Sequence, residues 1–222
     1  MNDSNIWFVR VVVLIIFLLI AGIWFWRSRS NTANTPSLAA SWKTFADQVQ
    51  GQYSENPLQF RKQVTLQADQ FQLVLETYSS ADYSPADSTF TYMRGVFTPK
   101  RAFELSLQPR STKSPIQTAL SAGDVITSGN TSLDARFELR STHAAQARAL
   151  LADSGVAQAL LSQPSGALII APKLNALNQP DGSGQWQVLF GGEESISAVQ
   201  RLHALRQLVL AVLAQLQRQG AA

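Results

Sequence analysis

A long apolar run near the N-terminus constrains this chain more than any other feature. Residues 6–26 form 21 consecutive positions in which Arg10 is the one charged side chain. At about 1.5 Å per residue, a helix of this length spans about 31 Å, the thickness of a bilayer's hydrocarbon core. A buried helix of a soluble domain is the alternative, but residues 11–26 contain no charged side chain. We therefore predict a transmembrane anchor over residues 1–28, with bilayer contact through residues 6–26.

The ends of this run carry side chains typical of the membrane interface. Indole rings combine an apolar body with a polar N–H group, which suits the headgroup region. Arg10 lies about one turn inside the span, and its long stem can carry the guanidinium back to the surface. The predicted membrane-interface residues are Trp7, Arg10, Trp24, Trp26, Arg27 and Arg29.

A cleaved signal peptide is the competing interpretation of the same run. Such a peptide needs a short apolar core followed closely by small residues at the cleavage site. Here the run ends in Trp24, Phe25 and Trp26, and the nearest small-residue site, at residues 37–39, follows about a dozen residues later. We therefore expect the segment to be retained as an anchor.

The charge distribution argues against nucleic-acid binding. The net charge is +3, but three of the 18 basic residues and one of the 15 acidic residues precede Ser30. The rest of the chain is therefore nearly neutral, and it lacks the clustered basic face that neutralises phosphates. The absence of cysteine further excludes thiol nucleophiles, disulfides and Cys-based zinc sites.

Two segments follow the anchor. Residues 29–36 are rich in Ser, Asn and Thr without periodicity, and they are interpreted as a polar tether. Residues 37–222 then form the predicted folded domain, which begins with a helix capped by Ser37 and running to about Val49. The apolar residues of this helix recur at spacings of three and four; they are Leu38, Trp42, Phe45 and Val49.

The region after this helix changes to a period of two, which predicts strands. Residues 64–68 and 71–75 form a predicted hairpin with a turn at Asp69-Gln70, and residues 103–107 form a further strand. In the strand near residues 90–96, the side chains expected to face the core are Phe90, Tyr92 and Val96. Gly95 marks a bulge or a close backbone approach. Residues 78–87 are expected to be a loop, and residues 116–120 a short helical turn.

A second set of elements completes an α+β domain with a mostly antiparallel sheet and packing helices. A strand is expected at residues 136–140, and two short helices at residues 144–151 and 156–161. The apolar run at residues 166–172 predicts a strand covered on both faces. It forms a hairpin with residues 186–190 through a turn rich in Pro, Asp and Gly.

The longest predicted helix of the domain spans residues 193–219, with Glu193 and Glu194 at the positive end of its dipole. Its apolar side chains cover an arc of about 240°, which is wider than one packing surface requires. One interpretation is a helix buried across the sheet with a second element on its flank. The alternative is that part of the arc binds a protein partner or the membrane surface.

Recognisable catalytic motifs are absent from the sequence. It contains no GxSxG, GxxxxGK[ST], GxGxxG or HExxH pattern, and no calcium loop, so no cofactor, metal or catalytic residue is assigned. One weak constellation remains, with His143 as a general base beside carboxylates. Its acidic members are Asp124, Asp134 and Glu138. A solvated sheet face explains these acids equally well, and both His143 and His203 are expected to be structural.

Three short patterns resemble a segment of uncharacterised bacterial membrane-anchored proteins. These are Leu-Asp-Ala-Arg-Phe-Glu-Leu at residues 133–139, Ala-Arg-Ala-Leu-Leu at residues 147–151 and Ala-Leu-Ile-Ile at residues 167–170. The similarity covers about 40 residues, over residues 133–170, and consists mostly of core spacing. It implies a related βααβ unit, and it implies no activity, substrate or site.

Together these features predict a single-pass membrane protein whose domain has a non-enzymatic interaction or accessory role. The alternatives are a membrane-tethered hydrolase using the Asp124, Asp134 and His143 region, and a lipid-binding domain. The resemblance suggests a bacterial plasma membrane. Arg27 and Arg29 lie outside the hydrocarbon and favour a cytoplasmic C-terminal domain. The sequence predicts no nucleic-acid partner and leaves the oligomeric state open.

The orientation can be tested with a reporter enzyme fused after Ala222. We expect a reporter that is active only in the cytoplasm to show activity, because positive loop residues are retained on the cytoplasmic side. A reporter that is active only after export should stay inactive in the same fusion. Activity of the exported reporter would reverse the predicted topology.

Overall fold

A computed structural model describes residues 37–56, 61–79, 89–110, 123–173, 180–192 and 194–222. The predicted anchor, its interface residues and the tether lie outside these ranges, as do the predicted helical turn at residues 116–120 and most of the predicted loop at residues 78–87. Among the helices that are described, none combines the length and the hydropathy needed to cross a membrane.

Five helices and nine strands are described, all within one compact unit from Leu38 to Ala222. The helices are α1 (Leu38–Gln48), α2 (Thr131–Arg136), α3 (Ala144–Leu151), α4 (Ser154–Ser162) and α5 (Val199–Arg218). The strands are β1 (Gln52–Asn56), β2 (Arg61–Ala68), β3 (Phe71–Ser79), β4 (Thr89–Phe97), β5 (Leu105–Pro109), β6 (Asp124–Ile126), β7 (Phe137–Ser141), β8 (Ala167–Pro172) and β9 (Trp186–Gly192).

The nine strands form one sheet in the order β1-β2-β3-β4-β9-β8-β5-β7-β6, with every neighbouring pair antiparallel. The predicted α+β class with an antiparallel sheet is therefore confirmed. On the helix-covered face, one row of directly paired residues is apolar across all nine strands. The row consists of Tyr53, Val64, Leu75, Met93, Phe190, Leu168, Leu107, Leu139 and Ile126.

Helix α5 organises the core of this face. It packs on β4 and β9, and it also contacts α1 and α4. Its fully buried side chains are Leu202, Leu205, Leu208, Val209, Val212, Leu213 and Leu216. Trp42 of α1 is 0% exposed, and its Nε1 donates to the carbonyl oxygen of Ile196 at 2.9 Å, which fixes the chain entering α5. The wide apolar arc of α5 is therefore used within this chain.

Gly95 explains how α5 reaches the sheet so closely. A Cβ atom at this position would lie 2.6 Å from Cδ1 of Leu213, 2.9 Å from Cδ2 of Leu73 and 3.1 Å from Cγ1 of Val209. These distances are shorter than van der Waals contact, so the helix packs directly onto the β4 backbone. Of the two roles expected for Gly95, the structure selects the close approach.

Several local predictions are confirmed. Strands β2 and β3 form the expected hairpin, in which Asp69 adopts a φ of +51° at the turn. Helix α1 ends one residue before the expected Val49, and α3 and α4 lie where two short helices were expected. Strands β8 and β9 also pair as the expected hairpin, and the first five residues of β8 are buried.

The predicted orientation of β4 is wrong. Tyr92 and Val96 lie on the face opposite the helices, whereas the core face carries Met93, Gly95 and Phe97. Phe90 and Val96 suggested a core face because both are large and apolar. Gly95, which lies between Met93 and Phe97 on the core face, has no apolar side chain and so gives no hydrophobic signal. The missing side chain is nevertheless what allows α5 to pack there.

The predicted start of the last helix is also wrong. Helix α5 begins at Val199 and has no acidic residue in its first turn, so Glu194 precedes the helix; Glu193 lies outside the described residues. Glu194 instead forms an ion pair with Arg201, at 2.6 Å between Oε1 and Nη2. Ile196 lies in the irregular segment before the helix, and its side chain is buried there. This burial explains why its apolar side chain fitted the helical pattern.

Three short elements escaped prediction, and the end of β3 lies later than expected. Strand β1 is polar and mostly exposed, and β6 has only three residues, so neither shows an apolar alternation. Helix α2 is capped by Asn130, whose side chain accepts from the backbone N–H groups of Ser132 and Leu133. Strand β3 runs to Ser79, two residues into the predicted loop.

Substituting Gly95 tests the contact between α5 and β4. We expect Gly95→Ala to lower the free energy of unfolding by about 1–3 kcal/mol, because the added methyl group forces Leu213 and Leu73 apart. Gly155→Ala is the matched control, since its Cβ would contact only Oδ1 of Asp153, at 3.1 Å. Thermal unfolding of the full chain measures both. Equal melting temperatures for the two variants would contradict the proposed close packing.

Candidate functional site

The region around His143 lies where β7 passes into α3. His143 is the N-cap residue of α3, and its ring Nδ1 lies 3.2 Å from Oγ1 of Thr142. Asp124 is exposed on the edge strand β6, directly paired with Ser141. Asp124 and His143 therefore lie near the same end of β7.

Asp134 lies near the opposite end of β7. Its Oδ1 accepts a hydrogen bond from the backbone N–H of Ser128 at 2.8 Å, which ties the loop after β6 to α2. The five residues of β7 extend about 13 Å between these two ends. Glu138 forms an ion pair with Arg140 at 2.9 Å. The structure therefore does not bring the predicted acidic residues together around His143.

His203 has a structural environment. Its Nε2 lies 2.7 Å from Oε1 of Gln48, and its ring packs edge-on against Phe45 at 5.1 Å between centroids. These contacts join α5 to α1. Across the described ranges, no group of three or more His, Asp or Glu side chains is arranged to hold a metal ion.

The sheet face opposite the helices offers a different kind of surface. Its central row of paired residues mixes polar, charged and apolar side chains. The row consists of Gln52, Thr65, Val74, Arg94, Leu189, Ile169, Ser106, Arg140 and Val125. We call this surface the open face. Over β5 and β8 this face is buried, as at Ser106 and Ile169, whereas over β2 and β3 it is exposed, as at Gln67 and Gln72.

A shallow groove of about 620 Å³ lies on the open face over β2, β3 and β4. Five of its lining side chains are amides and two are threonines. These are Gln63, Gln67, Gln70, Gln72, Gln185, Thr65 and Thr98. Val74 and Val96 form apolar positions between the amides, and Phe71 and Phe97 lie at the end of the strands. We call this surface the amide groove.

The charges beside the amide groove are paired. The carboxylate of Glu76 lies between Arg61, with which it forms an ion pair, and Arg94, whose Nη2 is 3.8 Å from Oε1. Lys173 Nζ lies 3.3 Å from Oδ2 of Asp181 and donates to Oε1 of Gln185 at 3.0 Å. Because three cations face two carboxylates, this surface carries little net charge.

Asp181 and Arg94 differ in how their polar atoms are hydrogen-bonded. Hydrogen bonds from Ser183, together with Lys173, hold the pKa of Asp181 below its usual range, so the carboxylate stays ionised near neutral pH. The Nε atom of Arg94 is buried and has no hydrogen-bond partner. That atom is therefore enclosed by protein and is not in contact with the groove's solvent.

Sequence reasoning did not find the amide groove. The only local signal is that Gln63, Thr65 and Gln67 occupy alternate positions of β2, which places them on one face. Gln185 and Lys173 join them through the pairing of β4 with β9, over more than 80 positions of the chain. A pattern within one strand gives no information about such a partner.

Comparisons with known proteins identify the fold only. No protein-family profile matches the chain, and no curated protein sequence matches it. Among solved structures, it is similar to the crystal structure of the mycobacterial trehalose monomycolate transport factor A, TtfA, with a TM-score of 0.53 and 14% sequence identity. The alignment covers 81% of this chain and 94% of that one.

The structural role assigned to Asp134 can be tested by substitution. We expect Asp134→Ala to lower the free energy of unfolding by about 1–2 kcal/mol, because the backbone N–H of Ser128 loses a charged acceptor. Asp134→Asn keeps an oxygen acceptor, so its free energy of unfolding should fall less. Asp124→Ala and His143→Ala, at exposed positions, should each change it by about 0.5 kcal/mol or less. Thermal unfolding of the full chain distinguishes these outcomes. If Asp134→Ala unfolded at the same temperature as the unmodified chain, the structural role of Asp134 would be wrong.

Proposed function

We propose that this chain is a single-span, membrane-anchored accessory protein whose α+β domain binds other molecules at the surface of a bacterial plasma membrane. The observation that carries the proposal is the shared fold with a transport factor, which extends over 81% of this chain and 94% of that one. A fold match of this extent concerns the whole domain rather than one motif. At 14% identity it leaves the ligand open.

The apolar run at residues 6–26 supports the membrane part of the proposal. Its length matches a bilayer, and indole and arginine side chains flank it on both sides. A polar tether of eight residues at 29–36 would give the domain freedom to reach partners near the bilayer. We place the domain in the cytoplasm, on the charge argument from Arg27 and Arg29.

The arrangement of side chains supports binding rather than catalysis. Asp134 and Glu138 are engaged in structural contacts, and β7 separates Asp134 from His143. A general base needs its substrate and a polarising partner within hydrogen-bond reach. The open face, in contrast, presents a broad surface with a groove. The tethered hydrolase is therefore the weaker proposal.

The burial of α5 changes where a partner or lipid would bind. The apolar side chains that suggested a docking helix at residues 193–219 are packed against α1, α4 and the sheet. A partner at this helix would meet its polar edge and the partly buried Leu210 and Ala211, which offer little apolar surface. We therefore propose the open face as the binding surface of the domain.

Charges placed in the apolar run test the anchoring. We expect the double variant Leu14→Arg/Leu18→Arg to be released from membranes by alkaline carbonate, since each central arginine costs about 2.5–3.5 kcal/mol of insertion free energy. Leu14→Ala/Leu18→Ala is the matched control and should remain in the membrane pellet. If the arginine variant stayed in the pellet, the single-span anchor would be wrong.

The same pair of variants tests whether the role depends on anchoring. In cells that lack the native chain, the alanine variant should restore whatever defect the loss produces, and the released arginine variant should not. His143→Ala should restore function as well as the unmodified chain does. Loss of function in His143→Ala, with normal membrane association and stability, would favour the hydrolase instead.

A further inference from the structure

We propose that the amide groove binds a neutral sugar of about disaccharide size. The proposal rests on the open face being the binding surface of the domain, as proposed above, but it does not depend on the membrane anchor. It assigns a chemical class of ligand to a site that lies outside the region of His143.

The dimensions of the groove suit a small, flat ligand. Strands β2, β3 and β4 place its outer rows about 10 Å apart, and the lining positions from Gln63 to Gln67 extend about 13 Å along β2. Its volume of about 620 Å³ falls within the ordinary range for small-molecule sites. Most such sites are lined mainly by apolar side chains, whereas this one is lined mainly by polar groups. The ligand it fits is correspondingly polar.

The amides match the hydrogen-bonding character of hydroxyl groups. A sugar hydroxyl both donates and accepts, and a glutamine side chain offers two donors and one acceptor oxygen. Gln63 uses one N–H group on Thr65 Oγ1 at 3.3 Å, and Gln67 uses one on the carbonyl oxygen of Asp69 at 3.1 Å. Both amides therefore keep further donor and acceptor capacity. Gln67 and Gln72 are directly paired across β2 and β3, so they can grip adjacent hydroxyls.

The charge balance favours a neutral ligand over an anion. Glu76 already neutralises much of the charge of Arg61 and Arg94, and Asp181 does the same for Lys173. An anion would have to compete with these carboxylates for the same cations. A neutral hydroxyl can instead bind the exposed amides of Gln67 and Gln72 without disturbing the ion pairs.

The floor of the groove suits the apolar C–H groups of a sugar ring. Val74 is 6% exposed and lies between Thr65 and Arg94 in the central row, and Val96 is directly paired with Gln72. Phe71 and Phe97 close the end of the strands. Covering Val96 with C–H groups removes apolar surface from water while the hydroxyls meet the surrounding amides. Polar walls around an apolar floor thus match both sides of a pyranose ring.

The test uses the full chain in phosphatidylcholine nanodiscs, because maltoside detergents carry the proposed ligand class and would compete. Maltose, cellobiose and sucrose are titrated separately, with saturation-transfer NMR to detect contact and calorimetry to measure affinity. We expect at least one of them to bind with a Kd on the order of 1 mM, since the groove is shallow and solvated. Binding by none of the three would overturn the proposal.

Variants locate the binding. Gln67→Ala/Gln72→Ala removes an exposed amide pair from the groove and should weaken the affinity about tenfold, the loss expected for two hydrogen bonds. Gln158→Ala/Gln207→Ala removes two exposed amides from helices α4 and α5 and is the matched control, with unchanged affinity expected. Thermal unfolding verifies that both are folded. Equal affinity in the two double variants would place the sugar elsewhere and contradict the proposal.

Two further arms define the ligand. Glucose 6-phosphate and inorganic phosphate test the charge argument, and binding of these anions with none by the neutral disaccharides would overturn it. Nanodiscs that also contain a digalactosyl lipid test the source of the sugar. Competition between this lipid and the free disaccharide identifies a lipid headgroup as the source, and binding without competition identifies a free sugar. Carbonate extraction tests only the membrane anchor, and these titrations test only sugar binding. An absence of sugar binding is therefore distinguishable from a failure of the anchor.

Discussion

The contact between α5 and β4 at Gly95 sets the arrangement of the rest of the domain. Because this residue lacks a Cβ atom, Leu213 and Val209 pack directly on the sheet backbone, and the helix lies across the two central strands β4 and β9. That position defines one face of the sheet as the core. α1 then packs beside α5 through Trp42, and α4 packs on the helix's other flank. The opposite face carries the amide groove over β2, β3 and β4.

The candidate site follows from this division of faces. Residues of β2, β3 and β4 that cannot point into the core alternate onto the open face, where amides and paired charges surround two valines. The pairing of β4 with β9 then brings Gln185 and Lys173 to the edge of the same groove. In contrast, Asp134 is separated from His143 and Asp124 by the length of β7. Proximity in sequence suggested a site there, and the extended strand removed it.

Sequence periodicity was most reliable where the strand or helix is long and amphipathic. The hairpin of β2 and β3, the helices α1, α3 and α4, and the pairing of β8 with β9 all follow from alternation and turn chemistry. It failed at β4, where the core face carries a glycine, and at β1 and β6, which are polar or very short. It also placed the start of α5 too early, since Ile196 is buried without being helical. In each case tertiary packing, rather than local propensity, decided the outcome.

The sequence by itself determined the local properties of this protein. The apolar run at residues 6–26, the polar composition of residues 29–36 and the alternating strands depend only on the order of neighbouring side chains, and hydrophobicity and chain geometry act on that order directly. The tertiary structure decided which strands are neighbours, which face α5 covers and which side chains share the groove. Those outcomes depend on residues more than 100 positions apart, such as Gly95 and Leu213, because packing and strand pairing act without regard to separation along the chain.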